Sequence, residues 1–197
     1  MDADVDAELM LRVASGDKRA FAQLFDRHQQ SVARFAFRFV GDPGRAEELA
    51  QDIFVKLFRN ARAYRPSAKF KTFLFRVATN HCLNEVRRGE YRVKHSSDEE
   101  AEREADALGV HGATTPDQEL TGRELERVVG DALAGLTERE RAAFSMCRFE
   151  GMAYRDIAGA LSASEAAVKS LIHRATLAVA KKIEELQAGA LPARSRA

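Results

Sequence analysis

Apolar residues recur along this chain at helical spacing, and no stretch alternates in the manner of a strand. From Lys18 to Val40 they fall at Phe21, Leu24, Phe25, Val32, Phe35, Ala36 and Phe39, the i, i+3, i+4 stripe of an amphipathic helix. Asp17 occupies the N-cap position before that run, and Gly41-Asp42-Pro43-Gly44 ends it. A shorter amphipathic segment, Val5 to Val13, precedes it and stops at Ser15-Gly16. Ala46, Leu49, Ala50, Ile53, Leu57 and Phe58 then mark a third helix over about Arg45 to Ala61. The loop Tyr64-Arg65-Pro66-Ser67 leads into a fourth, from about Phe70 to Arg88. Together these predict a compact, Phe-rich helical bundle.

Periodicity disappears between Arg92 and Thr115, where an acidic run and two glycines read as a linker. It resumes after Thr115-Pro116-Asp117-Gln118, a cap, a proline at the first helical position and a capping-box partner, with a helix to about Ala134. Thr137 and Glu140 repeat the capping signature before a helix ending near Gly151. A short helix over about Tyr154 to Leu161, a turn at Ser162-Ala163-Ser164, and a long helix from Ser164 or Glu165 to Leu186 complete the pattern. The expected fold is all-α: two small helical bundles joined by a flexible acidic linker, the C-terminal one containing a helix-turn-helix. The expected boundaries are 1–92 for the first bundle, 93–117 for the linker, 118–188 for the second bundle and 189–197 for a disordered tail.

Charge sharpens this division. The net charge of +1 resolves into +6 over residues 1–95, −7 over 96–120 and +2 over 121–197. Anionic partners are therefore expected at the two ends of the chain and not in its middle. The two cysteines, Cys82 and Cys147, lie far apart in helical patterns and are expected to be free thiols in a reducing compartment. The acidic N-terminus has no apolar run long enough for a signal peptide or a membrane span, so a cytoplasmic location is expected. No HExxH, Gly-rich phosphate loop or Ser/His/Asp grouping occurs, and the five histidines are scattered. No catalytic residue, metal site or cofactor is expected.

The second half suggests DNA binding. Two short helices crossing at a tight turn need a small residue at the crossing, here Ala158, and inward apolar residues, here Ile157, Leu161, Val168 and Ile172. The second helix then presents Ser164, Glu165, Ala166, Lys169, Ser170, His173 and Arg174 outward, with Arg155 on the first. Small residues at its start allow close approach to a major groove, and Lys169 and Arg174 can reach phosphates or guanine edges. Spacing alone leaves an ordinary helical hairpin with a solvated face as the alternative. In the first half, the third helix turns Glu47, Glu48, Gln51, Asp52 and Val55 outward, an acidic and amide surface on a basic domain. The segment 63–88 interleaves Arg65, Lys69, Lys71, Arg76, Arg87 and Arg88 with Tyr64, Phe70, Phe73 and Phe75. Such a groove suits unstacked single-stranded bases. Phe70, Phe73 and Phe75 cannot all share one helix face, so at least one of them belongs to the core.

In order and spacing, AEELAQDIF at 46–54, KFKTFLFRVATNHCLNEVRR at 69–88 and YRDIAGALSASEAAVKSLIHRA at 154–175 resemble regions 2 and 4 of sigma-70 family factors of the extracytoplasmic-function (ECF) group. The resemblance implies a promoter-recognising polymerase subunit without catalysis of its own. It implies that Glu47, Glu48, Gln51 and Asp52 dock the β′ coiled coil of core RNA polymerase. Tyr64, Arg65, Lys69, Phe70, Lys71, Phe73, Arg76, Asn80, Arg87 and Arg88 would contact the −10 element, and the helix-turn-helix residues the −35 element. Contact with the polymerase β flap and an anti-sigma factor partner are likewise implied. Ser162 stands where a turn glycine is usual, Ala166-Ala167 where Gly-Thr is common, Leu171 where Arg is usual, and Phe73 where Trp is usual. The −35 preference is therefore not inherited. A helix-turn-helix regulator acting without polymerase is the competing reading, and it leaves the first two strings unexplained.

Overall fold

The computed structural model describes residues 4–95 and 129–190, with side chains described over 4–89 and 129–185. The expected linker from Ser96 onward, the capping sequence at Thr115–Gln118 and the tail from Leu191 lie outside the described residues. Every regular element among the described residues is helical.

In the first half, α1 (Val5–Ala14), α2 (Lys18–Val40), α3 (Pro43–Arg59) and α4 (Phe70–His95) are started by aspartates. Asp4 accepts from the Ala7 N–H at 3.2 Å, and its other oxygen accepts from the Phe70 N–H at 2.6 Å, so one carboxylate ties the starts of α1 and α4 together. Asp17 accepts from the N–H groups of Arg19 and Ala20 at 2.9 and 3.1 Å, as its position predicts. Gly41 ends α2 in the left-handed conformation (φ 71°), which glycine adopts without a Cβ penalty. The third helix starts two residues earlier than its apolar stripe implies. Asp42 caps it by accepting from the Arg45 N–H at 2.7 Å, and Pro43 takes the first helical position. The sequence read as a stop for α2 is thus also the start signal for α3. A single 3-10 turn, Ala61–Ala63, precedes the loop into α4, and α4 itself runs past Arg88 to His95.

In the second half, residues 129–134 are helical and are followed by α5 (Glu138–Arg148), α6 (Tyr154–Leu161) and α7 (Glu165–Ala190). The capping box forms: the Glu140 N–H donates to Thr137 Oγ1, while Glu140 Oε2 accepts from the Thr137 N–H at 3.2 Å. Between α6 and α7, Ser162 adopts the left-handed conformation (φ 49°, ψ 51°), and among the described non-glycine residues it alone has a positive φ. This is the position where the sequence pattern expects glycine.

Phe35, Phe54, Phe70, Phe75, Leu24, Ile53, Leu57 and Leu74 are fully buried and form the centre of the first bundle, with Phe35 and Phe75 packed edge to face at 5.1 Å. Each such side chain contributes about 1.5–3 kcal/mol by leaving water. Ala132, Leu133, Leu136, Phe144, Ala175 and Val179 form a smaller core private to the second half. The two expected bundles also touch, an arrangement the sequence left open. Ala142, Ala143, Met146, Met152, Ile157 and Ala160 belong to the same apolar cluster as the first bundle's phenylalanines. Helix α6 lies against α4, with Gly159 so close that a Cβ there would stand 3.2 Å from the Thr72 methyl. Periodicity reports which face of a helix is apolar and not which distant helix covers it, so this seam is absent from the sequence pattern.

Candidate nucleic-acid and polymerase interface

Three surfaces emerge from this packing. The first is the outer face of α3. Burial of Leu49, Ala50, Ile53 and Leu57 leaves Glu47, Glu48, Gln51 and Asp52 exposed, flanked by exposed Val55 and Phe58. Glu48 is paired with Arg45 at 2.6 Å, and Arg45 also holds Glu85 of α4. Beneath Asp52 lies the buried ring of His81. Its Nδ1 accepts from Lys56 Nζ at 2.5 Å, and its Nε2 lies 3.5 Å from Asp52 Oδ2. Burial, and then the Lys56 charge, hold this imidazole below the ordinary histidine range despite the pull of Asp52. A neutral ring that accepts from Lys56 leaves its remaining N–H facing Asp52.

The second surface is the exposed side of α4 and the loop before it. Phe73, Arg76, Asn80 and Arg87 recur at i, i+3, i+7 and i+14 on one face. Phe73 is half-buried, with Tyr64 behind it at 5.0 Å and the Arg76 guanidinium 5.4 Å above its ring. Arg65, Lys69 and Arg88 are exposed beside this stripe. The arrangement is a flat apolar platform rimmed by cations and one amide, suited to an unstacked base and its phosphates.

The third is α7. Val168 and Ile172 are buried against Ile157, Ala158 and Leu161 of α6, the inward set that the spacing predicts. Ser164 caps the helix by accepting from the Ala167 N–H at 3.2 Å. Glu165, Ala166, Lys169, Ser170, His173 and Arg174 all face solvent, as does Arg155 on α6. Two helices joined by a tight turn with an exposed polar second helix form a helix-turn-helix.

Residues 24–91 match sigma-70 region 2, and residues 126–178 match sigma-70, region 4. The chain is 34% identical over 185 residues to the RNA polymerase sigma-H factor of Pseudomonas aeruginosa, covering 92% of this chain and 95% of that one. It is 32% identical over 183 residues to the ECF RNA polymerase sigma-E factor of Haemophilus influenzae, covering 92% and 96%. This chain belongs to the ECF group of the sigma-70 family. Among solved structures it resembles CnrH in complex with the cytosolic domain of CnrY, with a TM-score of 0.69 and 25% identity over 92% of this chain and 99% of that one. It shares its fold with RpoE of Bartonella quintana, solved with the anti-sigma factor NepR, at a TM-score of 0.63 and 20% identity over 83% and 96%.

The structure sorts the candidate residues of the sequence by exposure. The α3 set, the helix-turn-helix set, and Arg65, Lys69, Arg76, Asn80, Arg87 and Arg88 are all exposed. Tyr64 and Phe70 are a correction. They are 3% and 0% exposed, packed on each other at 6.4 Å, and form the floor under Phe73. They support the platform from below and offer no face to a base in this conformation. Lys71 is half-buried and turned away from the Phe73 stripe, toward the second bundle. Arg174 is exposed but engaged, donating to Glu140 Oε1 at 2.7 Å. Glu150 and Asp156, which hold Lys71 and Lys69, carried no signal of spacing or composition in the sequence. Among the described residues no group of three or more His, Cys, Asp or Glu could hold a metal, and no helix is long and apolar enough to cross a membrane.

Proposed function

We propose that this ECF sigma factor directs RNA polymerase to its promoters through a division of labour between three surfaces. The acidic face of α3, with Glu47, Glu48, Gln51 and Asp52, docks the β′ coiled coil of the core enzyme. The α4 platform, with Phe73, Arg76, Asn80, Arg87 and the flanking Arg65, Lys69 and Arg88, captures the opened −10 strand. Helix α7 enters the major groove of the −35 element, with the second bundle set against the β flap. The observation carrying this reading is that the basic-aromatic stripe of α4 and the open face of α7 occur on the two halves matched to regions 2 and 4, in that order.

The chain supplies recognition to the polymerase, in keeping with the non-enzymatic role of sigma factors, and acts in the cytoplasm where polymerase and DNA meet. An anti-sigma factor is a further partner, a reading supported by the fold shared with RpoE in its complex with NepR. The domain boundaries at 1–92, 93–117 and 118–188 follow from the same division. Asp52→Ala is the direct test of the docking face. Native electrophoresis of core polymerase with wild type or variant should show weaker holoenzyme assembly for the variant at equal helix content. Unchanged assembly by both Asp52→Ala and Glu48→Ala/Asp52→Ala removes α3 from the docking surface.

A further inference from the structure

Asp52 and Lys56 stand one turn apart on α3, the spacing at which an acid and a base on a helix ordinarily pair with each other. Here both turn instead to one ring, that of His81 on α4, whose side chain is only 9% exposed. Lys56 Nζ donates to His81 Nδ1 at 2.5 Å, and Asp52 Oδ2 stands 3.5 Å from His81 Nε2. A ring nitrogen that accepts from an ammonium belongs to a neutral imidazole, so the single ring proton sits on Nε2 and points at Asp52. Burial and the Lys56 charge both disfavour a second proton there. His81 Nε2 is buried and makes no hydrogen bond, because Asp52 Oδ2 lies about half an ångström beyond the usual bonding distance. A buried N–H without a partner is costly, so the ring pulls on the acceptors around it. Glu85, one turn further along α4, is already held by Arg45. Asp52 is therefore the carboxylate available to this N–H, while its side chain remains 66% exposed to a partner.

We propose that His81 is a positioning residue for polymerase docking: its Nε2–H steers the Asp52 carboxylate on the outer face of α3, so that the second carboxylate oxygen is presented to a cationic group of the core enzyme. This rests on the docking role of Asp52 proposed above. Lys56 has a part in it as well, because its bond to Nδ1 selects the tautomer that carries the proton toward Asp52. An exposed aspartate that is free to rotate must be ordered when a partner binds, and a donor fixed in the core beneath it lowers that cost in advance. His81 suits the task because it is rooted in α4 and closed off from solvent, so it cannot follow Asp52 outward. A ring that only filled the space between α3 and α4 would need neither nitrogen, and an apolar side chain of similar size would serve as well.

Assembly with core RNA polymerase should be titrated for the full chain as wild type, His81→Gln, His81→Leu, Asp52→Ala and the double variant His81→Leu/Asp52→Ala. Glutamine carries one acceptor and one donor, as neutral imidazole does, whereas leucine fills the space with neither. His81→Leu should weaken assembly about two- to tenfold, the cost of ordering one free side chain at an interface. His81→Gln should stay within about twofold of wild type, the scatter of such comparisons. Added to Asp52→Ala, His81→Leu should cost nothing further, because His81 acts through Asp52. Wild-type assembly by His81→Leu, equal losses in the leucine and glutamine variants, or a full additional loss in the double variant would each overturn the proposal. Asp52→Ala separates the two claims: if it assembles like wild type, the docking role of Asp52 fails, whereas a weakened Asp52→Ala beside an unaffected His81→Leu removes only the role of His81. Far-UV circular dichroism identifies a variant that has merely unfolded. If His81→Leu does, long-range proton–nitrogen NMR of the wild-type imidazole decides: the proton is expected on Nε2, and a ring protonated on Nδ1 at neutral pH would overturn the proposal.

Discussion

Glu140 joins two elements of the helix-turn-helix bundle, and its replacement offers a quantitative test of how that bundle is assembled. Its Oε2 accepts from the Thr137 N–H and from Thr137 Oγ1 at 2.7 Å, closing the capping box of α5. Its Oε1 accepts from Arg174 of α7 at 2.7 Å. The Glu140 side chain is only 13% exposed, while Arg174 is 58% exposed. Glu140→Ala removes the reciprocal cap, worth about 1 kcal/mol, and an ion pair whose exposed partner limits it to about 0.5–1 kcal/mol. The summed loss of about 1.5–2 kcal/mol lowers the melting temperature by roughly 6–16 °C if the second bundle melts as a small domain. Glu140→Gln keeps an amide oxygen for the cap and loses the charge, so its cost stays near the ion-pair share alone. The hydrogen bond from Arg174 first, and then that from Thr137, hold the Glu140 carboxyl below the ordinary glutamate range. Its folded pKa is therefore depressed. The contribution is fully present above the unfolded value of 4.5 and is lost as pH falls through the folded value. Thermal melts at neutral pH and at successively more acidic pH below 4.5 should show the gap between wild type and Glu140→Gln narrowing in acid. Equal melting temperatures for wild type and Glu140→Ala at neutral pH would refute this account of the bundle.

Ser162→Gly should stabilise the second bundle by about 0.5–1 kcal/mol in urea denaturation, because glycine takes the left-handed turn without the Cβ penalty while adding some unfolded-state entropy; a destabilised variant would mean that the serine makes a compensating contact. Lys169→Ala should weaken binding to −35 duplexes and reduce the slope of log affinity against log salt by about 0.9, as expected for one lost phosphate contact. An unchanged slope would take Lys169 off the phosphate backbone. Burial pushes the Cys82 thiol up to about 12, so iodoacetamide should leave it untouched in the native protein and modify it only under denaturant. Rapid native labelling of Cys82, located by peptide mapping, would contradict the packing of α4.

Local signals in the sequence carried through where a single residue controls the backbone. Asp17 caps Lys18–Val40, Thr137 and Glu140 form their box, and Tyr154–Leu161 starts and stops where its pattern says. Pro43 was harder to read because the same Asp-Pro-Gly sequence can end one helix and start another, and here it does both. Exposure of the α3 acids and of Lys169 followed directly from the apolar stripe opposite them. The aromatic segment was less legible. Tyr64 and Phe70 sit among cations in the sequence, yet Tyr64 closes over the loop and Phe70 is anchored by Asp4, some sixty residues earlier in the chain. The seam was illegible altogether, since Ser31, Arg38 and Lys71 find Glu150 from 79 to 119 residues away in the chain and no periodicity links them.

The most direct test of the central claim is transcription by core RNA polymerase reconstituted with this chain on genomic DNA, with the 5′ ends of the transcripts mapped. The account predicts a discrete set of start sites absent with core alone, each preceded by a shared pair of elements at −35 and −10 spacing. Start sites identical to those of core polymerase alone would contradict it.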